Sequence, residues 1–452
     1  MNTVHSGSTN GHHPNSERSL ALRRAAKASF IGNFIEWFDY ASYGYLVTVI
    51  GHAFFPEANK SVQLLSTYAV FAMSFILRPI GAVVWGAWGD RWGRRWALSW
   101  SILIMSGSTF FIGLLPTYSV IGMASAIGLL VLRMIQGFSA SGEYAGAGTF
   151  LAEYAPPSRR GIYTSLVPAS TACGLLAGSL TVTGMFTVLS DNAINTWGWR
   201  VPFLLAGPLG LIGRYIRVHL EDSPAYQEMR AEMPQEQKTA SWSEPLRLLL
   251  HDHLRETLIT FGVSCLNAVA FYMLLTYMPT YVHEELGFSQ DTSTLATSVM
   301  LVVYIAAIFL MGHLSDSFGR RRMLIAACVA FIVLTIPLFV VMMKAAGMLA
   351  VVILCEIVFA IALTANDGTL ATFLAESFPT NVRYSGFALS FNGANALLGG
   401  TTPFIVTWLI KVTGSSLAPA VYLTVIAMIA MVAILRSRMI HGSELTEDQA
   451  QS

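Results

Sequence analysis

The sequence predicts an all-α membrane protein in which twelve transmembrane helices form two similar halves of six. Composition is the first observation behind this prediction. Of the 452 residues, 54% are hydrophobic and only 12% are charged, whereas a soluble domain carries about 25% charged residues. Internal repetition is the second observation, because a charged motif between Gly86 and Arg95 returns between Gly312 and Arg321, each time after a long apolar run.

Two motifs are duplicated along the chain. The copies of the first share two glycines, an aspartate and two arginines: Gly86, Asp90, Gly93, Arg94 and Arg95 correspond to Gly312, Asp316, Gly319, Arg320 and Arg321. The second places an Ala-Glu-x-x-Pro sequence before an arginine and a glycine: Ala152, Glu153, Pro156, Arg160 and Gly161 correspond to Ala375, Glu376, Pro379, Arg383 and Gly386. A duplicated membrane unit with charged connectors is typical of a transporter.

Twelve apolar runs of about 20 residues are long enough to cross a hydrocarbon layer of about 30 Å. In chain order, these predicted spans lie near residues 28–51, 64–87, 97–115, 119–142, 161–186, 200–218, 257–282, 293–313, 323–343, 347–374, 385–410 and 416–435. The predicted organisation is therefore an N-terminal tail (1–27), a six-helix bundle (28–218), a linker (219–256), a second bundle (257–435) and a C-terminal tail (436–452).

Basic residues predict the orientation of the spans. They cluster before the first span and after the second, fourth, eighth and twelfth: Arg23, Arg24, Lys27, Arg91, Arg94, Arg95, Arg159, Arg160, Arg320, Arg321, Arg322, Arg436 and Arg438. The positive-inside rule therefore places both termini and the linker in the cytoplasm. The polar N-terminus lacks the apolar centre of a cleaved signal peptide.

Charged residues inside the predicted spans are candidates for function. There are seven of them: Glu36, Asp39, Arg78, Arg133, Glu143, Glu356 and Asp367. Each charge at the membrane centre costs about 2.5–3.5 kcal/mol even on lenient insertion scales, so these side chains must face a cavity or a partner. Two arginines do not compensate five ionised acids, and we expect at least one carboxyl to hold a proton during part of the transport cycle.

Helical spacing groups these residues on shared faces. Glu36 and Asp39 lie one turn apart, and Tyr40 and Tyr43 continue their face. In the fourth predicted span Arg133, Gln136 and Glu143 form one stripe. Small residues around Gly137 predict the close approach of a neighbouring helix. Glu356 and Asp367, about three turns apart, also share a face, and Glu356 is close enough to its helix end to extend toward water.

Several further motifs lie in the predicted spans and their connectors: Gly32-Asn33-x-x-Glu36-Trp37-Phe38-Asp39-Tyr40, Arg78-Pro79-x-Gly81, Arg133-x-x-Gln136-Gly137-Phe138, Trp197-Gly198-Trp199-Arg200, Phe54-Phe55-Pro56 and Phe378-Pro379. The first duplicated motif resembles the signature of the major facilitator superfamily. The first four of these further motifs resemble the metabolite:proton symporters of that superfamily, and the last two narrow the likeness to its proline/betaine symporters. The resemblance extends from about residue 25 to 435 and implies an alternating-access transporter whose first, fourth, seventh and tenth spans line a central cavity.

The resemblance implies roles for the residues on these spans. The residues expected to bind substrate are Arg133, Tyr40, Tyr43, Gln136, Asn267, Tyr272 and Asp367. The residues expected to couple transport to protons are Asp39, Glu36, Glu143 and Arg78. The alternative for Arg133 is a purely structural pairing with Asp39 or Glu143. The alternative for Glu36 and Asp39 is a fixed ion pair with Arg78, and that for Glu143 is helix packing. The alternative for the aromatic residues is anchoring at the membrane interface.

The cargo predicted from this resemblance is a small zwitterion that bears a carboxylate, such as proline or glycine betaine. Arg133 replaces a lysine of the proline/betaine symporters, and Leu166 and Pro168 replace a tryptophan and an aspartate. These differences keep a di- or tricarboxylate as the alternative. A non-transporting membrane sensor is a further alternative, for which a cytoplasmic output domain is expected.

The duplicated motifs predict a cytoplasmic gate, because an aspartate at a helix end accepts hydrogen bonds from the N-terminus of a neighbouring helix. The predicted gate residues are Asp90, Arg94, Arg95, Asp316, Arg320, Arg321, Glu153 and Glu376.

No sequence motif for catalysis competes with the transport prediction. The chain has no phosphate-binding glycine loop or nucleophile elbow, and its four cysteines, Cys173, Cys265, Cys328 and Cys355, lack the spacing of metal ligands. We therefore expect a transporter without cofactor or metal that uses a proton gradient. Its expected partners are a small molecule, protons and the lipid bilayer, and it is expected to be a monomer in a bacterial inner membrane.

Overall fold

The structure, a computed structural model, describes residues 14–92, 94–218, 249, 251–345, 347–378 and 382–437. All regular elements in these ranges are helices. The prediction of an all-α membrane fold is therefore confirmed. Most of the predicted linker lies outside the described residues.

Six principal helices form the first half, and most of them continue through a short break. They are α1 (Pro14–Tyr45, continued by Val47–Phe54), α2 (Lys60–Ile76, continued by Arg78–Trp92), α3 (Arg94–Leu114), α4 (Met123–Ser139, continued by Glu143–Tyr154), α5 (Arg160–Thr164, continued by Leu166–Val188) and α6 (Arg200–Val218). Helix α1 begins well before the predicted first span.

Six more helices form the second half. They are α7 (Leu254–Phe271, continued by Tyr272–Tyr277 and Met278–Glu284), α8 (Gln290–Phe318), α9 (Arg320–Lys344), α10 (Leu349–Glu376), α11 (Arg383–Ala394, continued by Asn395–Gly399 and Thr402–Thr413) and α12 (Ala418–Arg436). Among the described residues, nine helical stretches are long and apolar enough to cross a membrane. The remaining three predicted spans, 28–51, 97–115 and 200–218, coincide with α1, α3 and α6.

Pro279 breaks the regular hydrogen bonding of α7. The preceding segment Tyr272–Tyr277 is a π-helix. Because proline has no N–H, the carbonyl of Leu275 lacks its α-helical donor. The hydroxyl of Tyr45 in α1 donates to that carbonyl at 2.6 Å, so the break in one half becomes a contact with the other half.

Small residues allow the two halves to approach along α5 and α8. The Oγ atoms of Ser179 and Ser298 lie 2.6 Å apart across this interface. Farther along, a Cβ on Gly161 would meet the carbonyl oxygen of Gly312 at 2.4 Å. The backbones are therefore close enough that larger side chains would separate the halves.

Gly137 brings α4 against α2, as the sequence predicts. A Cβ at this position would lie 1.6 Å from the carbonyl oxygen of Ser74. The two helices must move apart to accept any side chain here, and this contact lies one turn from Arg133.

We expect Gly137→Ala to lower the free energy of unfolding by about 1–3 kcal/mol, as overpacking of a well-packed interior does. The measurement is thermal unfolding of the purified protein in detergent. Gly107→Ala in α3 is the matched control, because its Cβ would meet no atom within 4 Å. Equal melting temperatures for the two variants would contradict the packing argument.

Candidate functional site

Arg133 is the centre of a buried polar network in the first half. Its Nη1 lies 3.2 Å from Oδ2 of Asp39 on α1. The same nitrogen donates to the side-chain oxygen of Gln136, one turn along α4, and Gln136 donates to Oγ1 of Thr109 on α3 at 3.0 Å. Three helices therefore orient one guanidinium, which has no exposed surface.

One edge of this guanidinium, formed by Nε and Nη2 of Arg133, has no hydrogen-bond partner among the described residues. These two atoms carry the parallel N–H bonds of the side-on fork that binds a carboxylate bidentately. The ring of Tyr43 covers the guanidinium, with its centroid 3.9 Å from Cζ. Arg133 thus combines a structural pair with Asp39 and an unused two-donor edge.

A second buried ion pair joins Arg78 on α2 to Glu36 on α1. Nη2 of Arg78 lies 2.6 Å from Oε1 of Glu36, and both side chains are almost fully buried. Cζ of Arg78 lies 5.0 Å from the ring centroid of Tyr40 and 4.5 Å from that of Phe75. Tyr40 also lies 5.3 Å from Cζ of Arg133, so one ring separates the two cations.

An aromatic cluster connects these pairs to the second half. We use this name for Trp37, Tyr40, Phe71, Phe75, Phe271 and Tyr272. Tyr272 of α7 lies 5.7 Å from Trp37, 6.3 Å from Phe71 and 5.1 Å from Phe75, measured between ring centroids. Phe271 lies 4.9 Å from Trp37. The cluster contains rings from both halves, and its rings are buried in the protein rather than placed at the membrane interface.

Asp367 forms the polar centre of the second half. The side-chain amide of Asn267 donates to Oδ1 at 2.5 Å, and the hydroxyl of Tyr304 donates to Oδ2 at 2.5 Å. This network joins α7, α8 and α10. The sequence predicts Asn267 and Asp367 as site residues but does not identify Tyr304, because its partner is on another helix.

The structure separates the two remaining acids of the predicted spans. Glu143 accepts a hydrogen bond from Ser101 at 3.4 Å and lies within electrostatic reach of Glu36, so it belongs beside the first ion pairs. Glu356 has no exposed surface. The expectation that Glu356 extends toward water is therefore wrong, because neighbouring helices cover its end of α10.

At the predicted cytoplasmic face the two halves are joined by contacts that we call the inner latch. The carboxylate of Asp316 on α8 accepts hydrogen bonds from the backbone N–H groups of Gly161 and Ile162, at 2.8 and 3.1 Å. These groups belong to the first turn of α5, where unpaired N–H groups and the helix dipole favour an anion. Arg320, one turn after Asp316, lies 2.6 Å from its carboxylate.

Glu376 adds an ion pair across the same face. Its carboxylate lies 3.3 Å from Arg160 of the first half and 3.6 Å from Arg320 of its own half. Arg160 also donates to the carbonyl of Ala152 at 3.1 Å, and the duplicated Arg383 donates to that of Ala375 at 2.9 Å. Arg160 and Arg383 thus make equivalent contacts in the two halves, so the second sequence repeat is also a structural repeat. Arg160 belongs to the inner latch, although the sequence analysis did not assign it to the gate.

Other predicted gate residues do not join the inner latch. Arg321 donates to the carbonyls of Ile434 and Leu435 at the end of α12, within its own half. Successive residues of a helix are rotated by about 100°, so Arg321 lies on another face of α9 than Arg320. The side chains of four predicted gate residues lie outside the described residues: Asp90, Arg94, Arg95 and Glu153.

At the opposite, predicted outer face the halves meet through an outer latch that the sequence analysis did not identify. It consists of the Tyr45 hydroxyl on the Leu275 carbonyl, the Tyr68 hydroxyl 2.9 Å from Oγ1 of Thr280, and Lys60 2.9 Å from Glu284. Tyrosines on apolar helices give little signal of such contacts in a sequence. With both latches formed, the site is enclosed from both faces.

Comparisons with known proteins agree with this architecture. The family model of the Major Facilitator Superfamily matches residues 29–403 and 260–449. The chain is 38% identical to the glycine betaine/proline/ectoine/pipecolic acid transporter OusA of Dickeya dadantii and 37% identical to the proline/betaine transporter of Escherichia coli K12; each match covers 91% of this chain and 82% of the relative. The solved proton:xylose symporter XylE bound to 6-bromo-6-deoxy-D-glucose has a TM-score of 0.75 at 19% identity, over 92% of this chain and 95% of that chain.

The chain therefore belongs to the major facilitator superfamily, and it is a multi-pass membrane transporter rather than an enzyme. The likeness to the xylose symporter concerns the fold.

We expect Asp316→Asn to slow turnover by about tenfold while substrate affinity changes much less, since a hydrogen bond to a charged group contributes about 1.5–3 kcal/mol. The latch biases the populations of the two conformations and does not touch the buried site. Exchange rates in liposomes and equilibrium binding in detergent measure the two effects. Asp252→Asn at an exposed position is the control. Equal losses of affinity and rate would contradict a latch function.

Proposed function

We propose that the protein is a proton-coupled symporter that takes up a small zwitterion, such as glycine betaine or proline, by alternating access. The observation that carries this proposal is the unused Nε and Nη2 edge of Arg133, buried beside an aromatic cluster. The 37–38% identity to proline and betaine transporters supports the same class of cargo.

The carboxylate of the cargo binds the free edge of Arg133. Two parallel N–H donors match the two oxygens of a carboxylate, and burial strengthens the interaction because water does not screen it. The other guanidinium in the site, that of Arg78, is held by Glu36 at 2.6 Å. One available fork favours a cargo with one carboxylate over a di- or tricarboxylate.

The cationic nitrogen of the cargo binds the aromatic cluster. Ring faces attract quaternary and secondary ammonium groups, with a contribution of about 2 kcal/mol or more where water is excluded. Because rings from α1, α2 and α7 surround this position, a bound ammonium contacts both halves. Such a ligand favours the enclosed conformation, since binding stabilises the state in which it makes the most contacts.

Proton coupling follows from the shared partner of Asp39. Arg133 pairs with Asp39 in the enclosed structure, and the carboxylate of the cargo uses the same guanidinium. Two carboxylates that share one guanidinium in a buried site repel each other at close range, and such repulsion favours the protonated form of one of them. A proton on Asp39 removes this repulsion, so the cargo and one proton bind together.

Alternating access uses the two latches. Opening of the outer latch admits cargo while the inner latch holds the halves together, and the reverse order releases it. The positions of the basic residues support an inner latch that faces the cytoplasm of a bacterial cell, with both termini on that side. We propose that the monomer is the transporting unit, because one chain contains the site and both latches.

The decisive experiment is uptake by the purified protein in liposomes with an inward proton gradient. Radiolabelled glycine betaine and proline are compared with succinate and citrate. Accumulation of the zwitterions that collapses with a protonophore supports the proposal. Accumulation of the di- or tricarboxylate alone, or zwitterion uptake that ignores the proton gradient, contradicts it.

We expect Arg133→Lys to raise the KM for the zwitterion by at least about tenfold, equivalent to 1.4 kcal/mol. A single ammonium does not hold Asp39 and Gln136 while also offering two coplanar donors to the cargo. Initial uptake rates across a concentration series give the KM. Arg214→Lys, which changes an arginine that stacks on Trp100 outside the site, is the control. An unchanged KM would remove Arg133 from the binding site.

We expect Asp39→Asn to abolish accumulation driven by a proton gradient and to spare exchange of labelled for unlabelled cargo at equal pH. Asparagine carries no proton between the two faces, whereas exchange requires no net proton movement. The two liposome assays are run on the same preparation, with Asp252→Asn as control. Continued gradient-driven accumulation would show that Asp39 is not the proton carrier, and Glu36→Gln and Glu143→Gln would then be tested in the same way.

A further inference from the structure

Glu356 is a buried carboxyl that the proposed site does not use. It lies on α10, seven residues from the helix start at Leu349 and therefore about 10 Å into the helix. Its side chain has no exposed surface, and neither carboxylate oxygen has a hydrogen-bond partner among the described residues. Asp367, deeper on the same helix, has both oxygens satisfied. Both acids of α10 are buried, but only Asp367 has hydrogen-bond donors for its carboxylate.

No cation compensates Glu356 within the described part of the chain. The helices α8 and α9, which pack on α10, carry their charged side chains in their first and last turns: Asp291, Asp316, Arg320, Arg321, Arg322 and Lys344. Helix α7 carries Arg255 and Glu256 in its first turn and His283 and Glu284 in its last turn, where Glu284 pairs with Lys60 and lies 3.6 Å from His283.

The packed parts of α4, α5 and α11 contribute Glu143, Arg160 and Arg383, whose partners lie at other levels of the membrane. Tyr45 of α1 lies within electrostatic reach of Glu356, and the Tyr272–Tyr277 segment that accepts its hydrogen bond packs on α10.

Tyr45 connects Glu356 to the outer latch. The tyrosine hydroxyl donates to the carbonyl of Leu275, and Gln290 donates to the backbone carbonyl of Tyr45 at 3.3 Å. Separation of the halves at this face would take Tyr45 from the Leu275 carbonyl and open the adjoining part of α10 to water. Closing the latch returns the carboxyl to an apolar environment without a partner. An ionised carboxylate in such a place costs several kcal/mol, whereas the neutral acid costs far less.

We propose that Glu356 is a second proton-binding group and that the outer latch closes fully only when Glu356 is protonated. The proton comes from water at the predicted outer face, forms one O–H bond on the carboxyl, and returns to that water when the latch reopens while Glu356 still faces it. Closure of the outer face is thereby linked to proton binding at a position separate from Asp39. This proposal requires no transported solute and stands independently of the cargo proposed above.

The test measures the outer latch directly. Spin labels are attached at Ser61→Cys and Ser289→Cys, two exposed positions on the predicted outer side of the two halves. The native cysteines are replaced by alanine. Pulsed electron-electron resonance on protein in lipid nanodiscs, without substrate, gives the distance distribution at pH 5 and pH 9. In the otherwise wild-type chain we expect the longer, open distance to gain at least about tenfold in population relative to the closed one at pH 9, because one linked proton changes an equilibrium up to tenfold per pH unit.

Glu356→Gln is the decisive variant, since glutamine keeps the shape of the side chain and does not ionise. We expect its distances to be those of the closed latch at both pH values. Glu57→Gln, an exposed glutamate at the same face, is the matched control and is expected to keep the wild-type response. If Glu356→Gln responds to pH as the wild-type chain does, or if the wild-type chain shows no response, the proposal is overturned.

A second measurement uses unaltered protein and does not depend on the folding of a variant. Dicyclohexylcarbodiimide reacts with protonated carboxyls in apolar surroundings, and peptide mass spectrometry locates the adduct. We expect modification of Glu356 at pH 6 that falls at pH 9, where the carboxyl ionises as the latch opens. No adduct on Glu356, or equal modification at both pH values, overturns the proposal.

Discussion

The cost of burying charge inside an apolar bundle is the constraint on which the rest of this structure depends. Arg133 and Arg78 are almost completely buried, and each has one carboxylate partner, Asp39 and Glu36. Removal of one partner from such a pair costs about 3–5 kcal/mol, because it leaves an uncompensated charge. The helices α1, α2 and α4 are therefore held in register by ion pairs, and the close packing of Gly137 on Ser74 depends on that register.

The same constraint suits a transport cycle. In Arg133, Nη1 is paired with Asp39, whereas Nε and Nη2 have no partner among the described residues. The pair with Asp39 stabilises the buried guanidinium without cargo, and a second carboxylate on the other two nitrogens would stabilise it further. The aromatic cluster beside it stabilises positive charge without adding a second anion. A ligand that carries both charges can therefore place its carboxylate on the guanidinium and its ammonium on the rings. Tyr272 and Phe271 of the second half contact rings of the first half, so a ligand bound at the aromatic cluster lies at the interface between the halves. Its binding therefore affects how the halves are arranged.

The two latches differ in chemistry, and the difference follows from their surroundings. The inner latch uses Asp316 on the backbone of the first turn of α5 and the pair of Arg160 with Glu376, all near the end of the bundle. Inside the bundle, the outer latch uses tyrosine hydroxyls on a carbonyl and a hydroxyl, where a charge is unfavourable. Its ion pair, Lys60 with Glu284, lies at the edge, where Lys60 is largely exposed. Glu356 is the exception beside the outer latch. Its unpaired carboxyl makes that neutral contact sensitive to protonation in our proposal.

The all-α membrane fold, the internal repeat and the seven charged residues inside the predicted spans follow from the sequence alone. Hydrophobic length and motif duplication depend only on residues near one another in the chain, and helical spacing also predicts the contact of Arg133 with Gln136. The partners depend on how the helices pack: Asp39 rather than Glu143 for Arg133, Glu36 for Arg78, Tyr304 for Asp367 and Leu275 for Tyr45. Tertiary structure also buried Glu356 and turned Arg321 away from the gate. These contacts join helices that are distant in the sequence. Their geometry depends on the packing of the whole bundle, so it cannot be predicted from the spacing of residues within one helix.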